Sequence, residues 1–279
     1  MSLDRREIVS LDIAAPLTQV WAYLRDPHLA RRWLGWDRPG LDARIHRVLV
    51  ETPDERLDVL GLATVHSLVW PHADELRARA VADEPGRTHL TITRRSHEGL
   101  LDAYDGVRDV HDEDWVTGAH QLKFALEQYP GVDRRMLCVV GVDAGTRQDR
   151  LIDHIGLHGV HGIPVGGNVQ AVRPDGSMLG GTLLYRTEFQ LGLHLHGAVP
   201  SLLVVREEPA ASQPPNGTLS VGLSTYGLSA EQWSDVQRRW VEWWAGTPAA
   251  RQTLEVTRLA TQREQPELVH HGHARHARR

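Results

Sequence analysis

The chain has 279 residues, of which 41% are hydrophobic and 24% are charged, and its formal net charge is −5 with histidine neutral. This composition is typical of a folded globular protein, and the slight acidic excess argues against a nucleic-acid-binding surface. Because no apolar run reaches membrane-spanning length and the N-terminus lacks the apolar core of a signal peptide, we expect a cytoplasmic protein with no membrane partner.

The first half of the chain predicts a strand, two short helices and a series of strands. In residues 7–13, apolar and polar side chains alternate, which predicts a strand. Pro16 opens a helix, and Asp26 can cap a second, shorter helix that ends at Gly35. Turn-forming residues then separate five predicted strands, with the sequences ARIHRVLVE, RLDVLGLA, TVHSLVW, ELRARAV and RTHLTITRR.

Residues 111–131 predict one long helix. Acidic side chains crowd its N-terminus, where the helix dipole favours them, and Pro130 and Gly131 stop it. Spacings of three and four residues place several apolar side chains on one helical face. These residues are Trp115, Ala119, Leu122 and Leu126.

The second half repeats this order in a diverged form, which we interpret as a tandem duplication. A strand that contains the single cysteine, Cys138, precedes a helix that Thr146 can cap. Ser229 can cap a long final helix that carries four tryptophans. The two predicted helices of this half have the sequences TRQDRLIDHI and AEQWSDVQRRWVEWWAG. The predicted strands are RRMLCVVGVDA, NVQAVRP, SMLGGTLLYRTEFQLGLHLHG, SLLVVREE and GTLSVGLS.

The order of the first-half elements resembles the START/SRPBCC superfamily, and within it the domains homologous to the activator of the heat-shock-protein-90 ATPase. The residues that carry the resemblance are Ala15, Pro16, Val20, Trp21, Asp26, Pro27, Trp33, Trp115, Leu122 and Leu126. The resemblance implies an α+β helix-grip fold, in which an antiparallel sheet wraps around a long C-terminal helix. We therefore divide the chain into a helix-grip domain (1–131), a divergent second one (132–246), and a C-terminal helix with a disordered, His-rich tail (247–279).

The resemblance leaves three functional hypotheses open. Members of the superfamily bind lipids, hormones and polyketides, which implies binding of a small hydrophobic or aromatic molecule without a cofactor. Some members catalyse the cyclisation or aromatisation of polyketides, which makes an enzyme of the cyclase, aromatase or dehydratase type the alternative. Eukaryotic members stimulate a chaperone ATPase, which makes an interaction protein the third hypothesis; the bacterial single-domain relatives are mostly uncharacterised.

Candidate ligand-binding residues follow from the cavity that a sheet and a crossing helix leave between them. The chain has nine tryptophans and only two phenylalanines, and tryptophan combines a large apolar ring with a polar edge. The alternative is that these rings fill the core completely. The candidates are Trp21, Trp33, His66, Trp70, Trp115, Ala119 and Leu122 in the first half, and Trp233 and Trp240 in the second.

Histidines raise the question of a metal site. The spacing of His154, His158 and His161 would align them on a helix, and a strand would point His194 and His196 to one side. Glycines interrupt that helix and no Cys, Asp or Glu has clear ligand spacing, so we predict no metal site. The tail histidines would bind nickel or zinc weakly in vitro.

An enzyme would also need a titratable group inside the cavity. The strand residues that could point inward are His46, His66, and Arg77 or Arg79. A shift of one residue in strand register reverses every inward assignment, so an exposed sheet face is the alternative for each of them.

Overall fold

A computed structural model of the chain describes residues 5–60, 63–71, 74–95, 110–173, 176–197 and 199–255. Two large antiparallel sheets and several helices make up this part of the chain, which confirms the predicted α+β class. The predicted His-rich tail lies outside the described residues. Of the helix expected at 247–262, residues 247–255 are described, and 250–255 of these are helical.

The first sheet has five strands in the order β1-β5-β4-β3-β2. Its strands are β1 (Arg5–Ile13), β2 (Asp54–Leu60), β3 (Ala63–Val69), β4 (Glu75–Val81) and β5 (Glu84–Arg95). Its short helices are α1 (Leu17–Arg25), α2 (Pro27–Ala30) and α3 (Leu41–Ile45), followed by a π-helical segment (His46–Glu51). As expected, Asp26 caps α2 with its side chain.

The strand predicted at 43–51 is wrong, because this segment is helical. Leu41, Ile45 and Leu49 recur every four residues, and all three are buried, which is the pattern of a helix with one apolar face. His46, which we considered as a strand residue that could point inward, is on the π-helical segment instead. Its exposed ring lies 3.0 Å from the carboxylate of Glu51.

Helix α4 (Val110–Gln128) corresponds to the predicted long helix and lies between the two sheets. One face packs into the first core through Val116, Ala119 and Leu122. The opposite side contacts the second sheet, where Thr117 donates a hydrogen bond to Gln190 at 2.9 Å and Phe124 packs against His194. The helix is therefore buried on two sides.

The second sheet has six strands in the order β6-β13-β12-β11-β10-β9. They are β6 (Arg134–Asp143), β9 (Asn168–Val172), β10 (Met178–Arg186), β11 (Gln190–His196), β12 (Ser201–Glu208) and β13 (Thr218–Tyr226). One face of this sheet joins the first core, with Cys138 buried as expected. The other face packs on α6 (Ala230–Trp244), which begins at the predicted cap, Ser229.

The helix predicted at 146–155 is largely wrong. A two-stranded hairpin, β7 (Gly145–Thr146) and β8 (Asp149–Arg150), precedes a single helical turn, α5 (Leu151–His154). The backbone of Gly145 has a φ of 78°, and a Cβ there would lie 2.1 Å from the carbonyl oxygen of Asp149. Glycine thus permits the tight hairpin, and Thr146 pairs with Asp149 across it instead of capping a helix.

Candidate functional site

The predicted cavity residues of the first half are largely packed into the core. Trp33, Ala119 and Leu122 are fully buried there, and the indole N–H of Trp33 donates to the carbonyl oxygen of Tyr23 at 2.9 Å. The ring of Trp70 meets that of Trp115 edge-on, with centroids 5.0 Å apart. These side chains thus contact other protein groups, and neither cavity described below lies against them.

Trp21 and His66 come together near the open edge of the first sheet. Their ring centroids are 4.6 Å apart, and the indole N–H of Trp21 donates to Glu55 at 3.1 Å. Leu57 is opposite His66 on the edge strand β2 and is 64% exposed. This side of the sheet is therefore partly open to solvent.

The two predicted second-half residues both lie on α6 and are buried. The guanidinium of Arg135 lies 5.6 Å from the ring centroid of Trp233. Trp240 packs edge-on against Trp243 and Trp244, with ring centroids 5.6 Å apart in each pair. The two residues differ in one respect, since Trp240 lines a cavity and Trp233 does not.

The α6 cavity, as we name it, lies between α6 and the strands of the second sheet. Its volume is about 180 Å³, and one side is open to solvent. Large apolar side chains form much of its wall: Leu179, Leu195, Leu223, Val236, Trp240 and Trp243. Polar side chains complete it: Arg173, Ser201, Thr225, Asp235 and Arg239.

Ser201 brings a hydrogen-bonding group to this cavity. It pairs with Leu195 on one neighbouring strand and Thr225 on the other, and both of these residues line the same cavity. The indole N–H of Trp240 is buried without a hydrogen-bond partner within the described residues, and its nitrogen has no accessible surface toward the cavity. The site therefore supplies the Ser201 hydroxyl as a directional contact beside its apolar walls.

The α4 cavity, with a volume of about 260 Å³, lies between α4, β1 and the second sheet. His120 of α4 stacks on Tyr185 of β10, with ring centroids 3.7 Å apart and an interplanar angle of 5°. Burial, with a smaller effect from Lys123, lowers the pKa of His120 to about 4. Sequence analysis did not select these two residues, because their contact depends on the packing of α4 against the second sheet.

The histidines considered as metal ligands have other contacts. The ring of His154 lies 2.5 Å from Asp149, and that of His161 lies 3.0 Å from Glu207. His194 and His196 do point to the same side of β11, with ring centroids 5.0 Å apart. No three His, Cys, Asp or Glu side chains in the described ranges group in a way that could hold a metal ion.

The predicted inward-facing arginines lie on the outer side of the first sheet. Arg77 and Arg79 are both exposed, and the guanidinium of Arg77 contacts Glu75 at 2.7 Å. Their neighbours Leu76 and Ala78 face the core instead. Of the two alternatives left open for these arginines, the alternation of β4 therefore favours the exposed sheet face.

No family model matches the chain, and no curated protein matches it. Among solved structures, the chain is similar to DynU16, a protein of the dynemicin biosynthetic locus, at 15% identity over 93% of this chain and 98% of that one, with a TM-score of 0.24. It is also similar to two di-domain ARO/CYC proteins. BexL, from the BE-7585A biosynthetic pathway, has 12% identity over 93% of this chain and 95% of that one, with a TM-score of 0.30. StfQ, from the steffimycin pathway, has 10% identity over 91% and 95%, with a TM-score of 0.24.

Similarity at these TM-scores establishes neither a shared fold nor a shared function. Within the described residues, no helix combines the length and the apolar character needed to cross a membrane.

Proposed function

We propose that the protein binds a small hydrophobic or aromatic molecule in the α6 cavity. The second half would then be a divergent helix-grip unit, with α6 as the helix that crosses its antiparallel sheet. The sequence resemblance of the first half supports the same fold there. Its closer likeness to chaperone-ATPase activators, and with it the interaction-protein hypothesis, stays a prediction.

The volume of the α6 cavity limits the size of the ligand. An apolar cavity of roughly 150 Å³ accommodates benzene. The α6 cavity, at about 180 Å³, is therefore suited to a ring system of about one or two rings. Larger substituents could extend through the open side of the cavity; among its charged lining residues, Arg239 and Asp235 contact each other at 2.8 Å.

The apolar lining of the α6 cavity is the observation that carries the proposal, because Leu179, Leu223 and Trp243 present apolar surface to a space that is open to solvent. Ser201 also lines the cavity, and its hydroxyl can both donate and accept a hydrogen bond. The preferred ligand is therefore aromatic and carries at least one oxygen.

An enzyme of the polyketide cyclase or aromatase type stays a prediction. The ring of His196 points with that of His194 to the face of β11 opposite the α6 cavity, where it lies 3.2 Å from the hydroxyl of Thr182. Turnover of an aromatic polyketide substrate by the full chain would support the enzyme hypothesis.

Ligand binding is tested by calorimetric titration of the full chain with 2-naphthol and decanoate, preceded by a thermal-shift screen. Ser201→Leu places extra volume in the cavity and should weaken 2-naphthol binding there by about tenfold or more.

Ser234→Leu is the matched control, since it adds the same side chain to the exposed side of α6. This variant should bind like the unaltered protein. The proposal is overturned if neither probe binds, or if the Ser201 and Ser234 variants bind equally well.

A further inference from the structure

The α4 cavity is separate from the α6 cavity. Adjacent side chains of β11 point to opposite faces of the second sheet, so that His194 lines the α4 cavity and Leu195 lines the α6 cavity. The sheet therefore separates the two spaces. An occupant of the α4 cavity would contact a different set of side chains.

Aromatic rings form the walls of the α4 cavity. His120 and Tyr185 stack in parallel, and Phe124 meets His194 edge-on with centroids 5.1 Å apart. The ring of Tyr185 is fixed on two sides: its hydroxyl donates to Gln190 at 3.0 Å, and it covers Gly192, where a Cβ would lie 2.1 Å from its Cε1. The walls are thus held in place before any ligand binds.

Two imidazoles face this cavity with unused hydrogen-bonding capacity. Within the part of the chain that the structure describes, no hydrogen bond reaches a ring nitrogen of His120 or His194. Burial lowers the pKa of both groups, so each ring is neutral near neutral pH. A neutral imidazole offers one donor nitrogen and one acceptor nitrogen, which suits a hydroxyl group.

The charged side chains of the lining do not favour an anion. Lys123 is occupied by Glu127 at 2.7 Å and by the carbonyl oxygen of Asp12. The carboxylate of Asp12 in turn lies 2.7 Å from His89. With one cationic and two anionic side chains, the lining is net negative, so a ligand carboxylate would meet repulsion and no free cation.

We infer that the α4 cavity is a second ligand site, which takes a neutral, planar hydroxyaromatic molecule whose hydroxyl hydrogen-bonds His120 or His194. Its volume of about 260 Å³ admits about two fused rings, compared with roughly 150 Å³ for a cavity that holds benzene. This site is independent of the α6 cavity, so either one could be present without the other.

The test uses the full chain with Ser201→Leu, in which binding at the α6 cavity is weakened, and compares 2-naphthol with 2-naphthoate near neutral pH. We expect 2-naphthol to bind and to shift the side-chain nitrogen resonances of His120 and His194 in NMR spectra. The added His120→Phe change should weaken binding by about fivefold, because a stacked ring remains but its nitrogens are lost. The matched control, His158→Phe at an exposed position, should leave the affinity unchanged.

Several outcomes would overturn the inference. They are an absence of 2-naphthol binding to the Ser201→Leu protein, equal or tighter binding of 2-naphthoate, and unshifted His120 and His194 resonances at saturation. The NMR measurement decides the question even if His120→Phe does not fold. Binding that is lost on Ser201→Leu alone would support the α6 cavity and exclude this second site.

Discussion

Protonation of His120 should destabilise the folded protein as the pH falls from about 7 to about 5. The pKa of His120 is lowered to about 4 in the folded protein, against 6.5 for an ordinary histidine. Between these two values the unfolded chain binds more protons than the folded one, so the free energy of unfolding falls with decreasing pH. The stability contribution is present above pH 6.5 and is lost progressively as the pH approaches 4.

The expected loss follows from the difference between these two pKa values. A tenfold difference in proton affinity between the folded and unfolded protein corresponds to about 1.4 kcal/mol, and the interval from pH 7 to pH 5 covers about half of the full effect, so His120 should account for about 2 kcal/mol there. The titratable groups that face His120 are Lys123 and Glu127 on α4, Asp12 on β1, Tyr185 on β10 and His194 on β11. These groups are also present in a His120 variant. Comparing how the free energy of unfolding changes with pH in the two proteins therefore gives the contribution of the imidazole alone.

The measurement is urea unfolding at several pH values for the unaltered protein and for His120→Gln. The variant should lose about 2 kcal/mol less than the unaltered protein over this interval. His158→Gln, at an exposed position, serves as the control and should follow the unaltered protein. Parallel curves for the unaltered protein and His120→Gln would refute the reasoning, because they would mean that the folded protein accommodates a charged imidazole at this position.

Two further predictions concern the walls of the α4 cavity. Gly192→Ala should destabilise the protein by about 1–3 kcal/mol in urea unfolding, because its Cβ would displace Tyr185. The control Gly159→Ala, with open space around it, should have little effect. Equal unfolding midpoints for the two variants would contradict this account. Gln190→Ala should cost more than about 2 kcal/mol, because Gln190 hydrogen-bonds Glu113, Thr117 and Tyr185 in a buried network. The exposed Gln170→Ala is its control, and a Gln190 variant as stable as that control would show that the network contributes nothing.

Periodicity predicted the elements that bury one clear face. The alternation in residues 7–13 corresponds to β1, and the capped final helix corresponds to α6. The segment 43–51 was misassigned because its apolar residues are dense enough to suit both a strand and a helix. Which of these residues are buried depends on the neighbouring elements, and only that distinguishes the two structures. The helix predicted at 146–155 was misassigned for a different reason. Its first residues belong to the hairpin that the conformation of Gly145 permits.

For the candidate sites, sequence reasoning depended on tryptophan as a marker of cavity walls. It selected Trp240, which lines the α6 cavity, together with Trp33, which is core. Ring size alone cannot separate these roles, because both positions bury a large apolar surface. His120 and Tyr185 were missed because the face of α4 that carries His120 pairs with a distant strand, and no local pattern reports such a contact.

The position of α4 explains why that face was hard to interpret. A surface helix has one polar side, but α4 is covered on both sides, and its second side carries buried polar groups. These groups obtain their partners from the second half of the chain: Gln190 contacts Glu113 and Thr117, and Arg134 donates to Gln121 at 2.5 Å. A buried polar group without its partner is costly, so α4 is stable in this form only with the second sheet against it. The hydrogen bonds of α4 therefore make the two halves depend on each other, although the sequence pattern suggests two successive units.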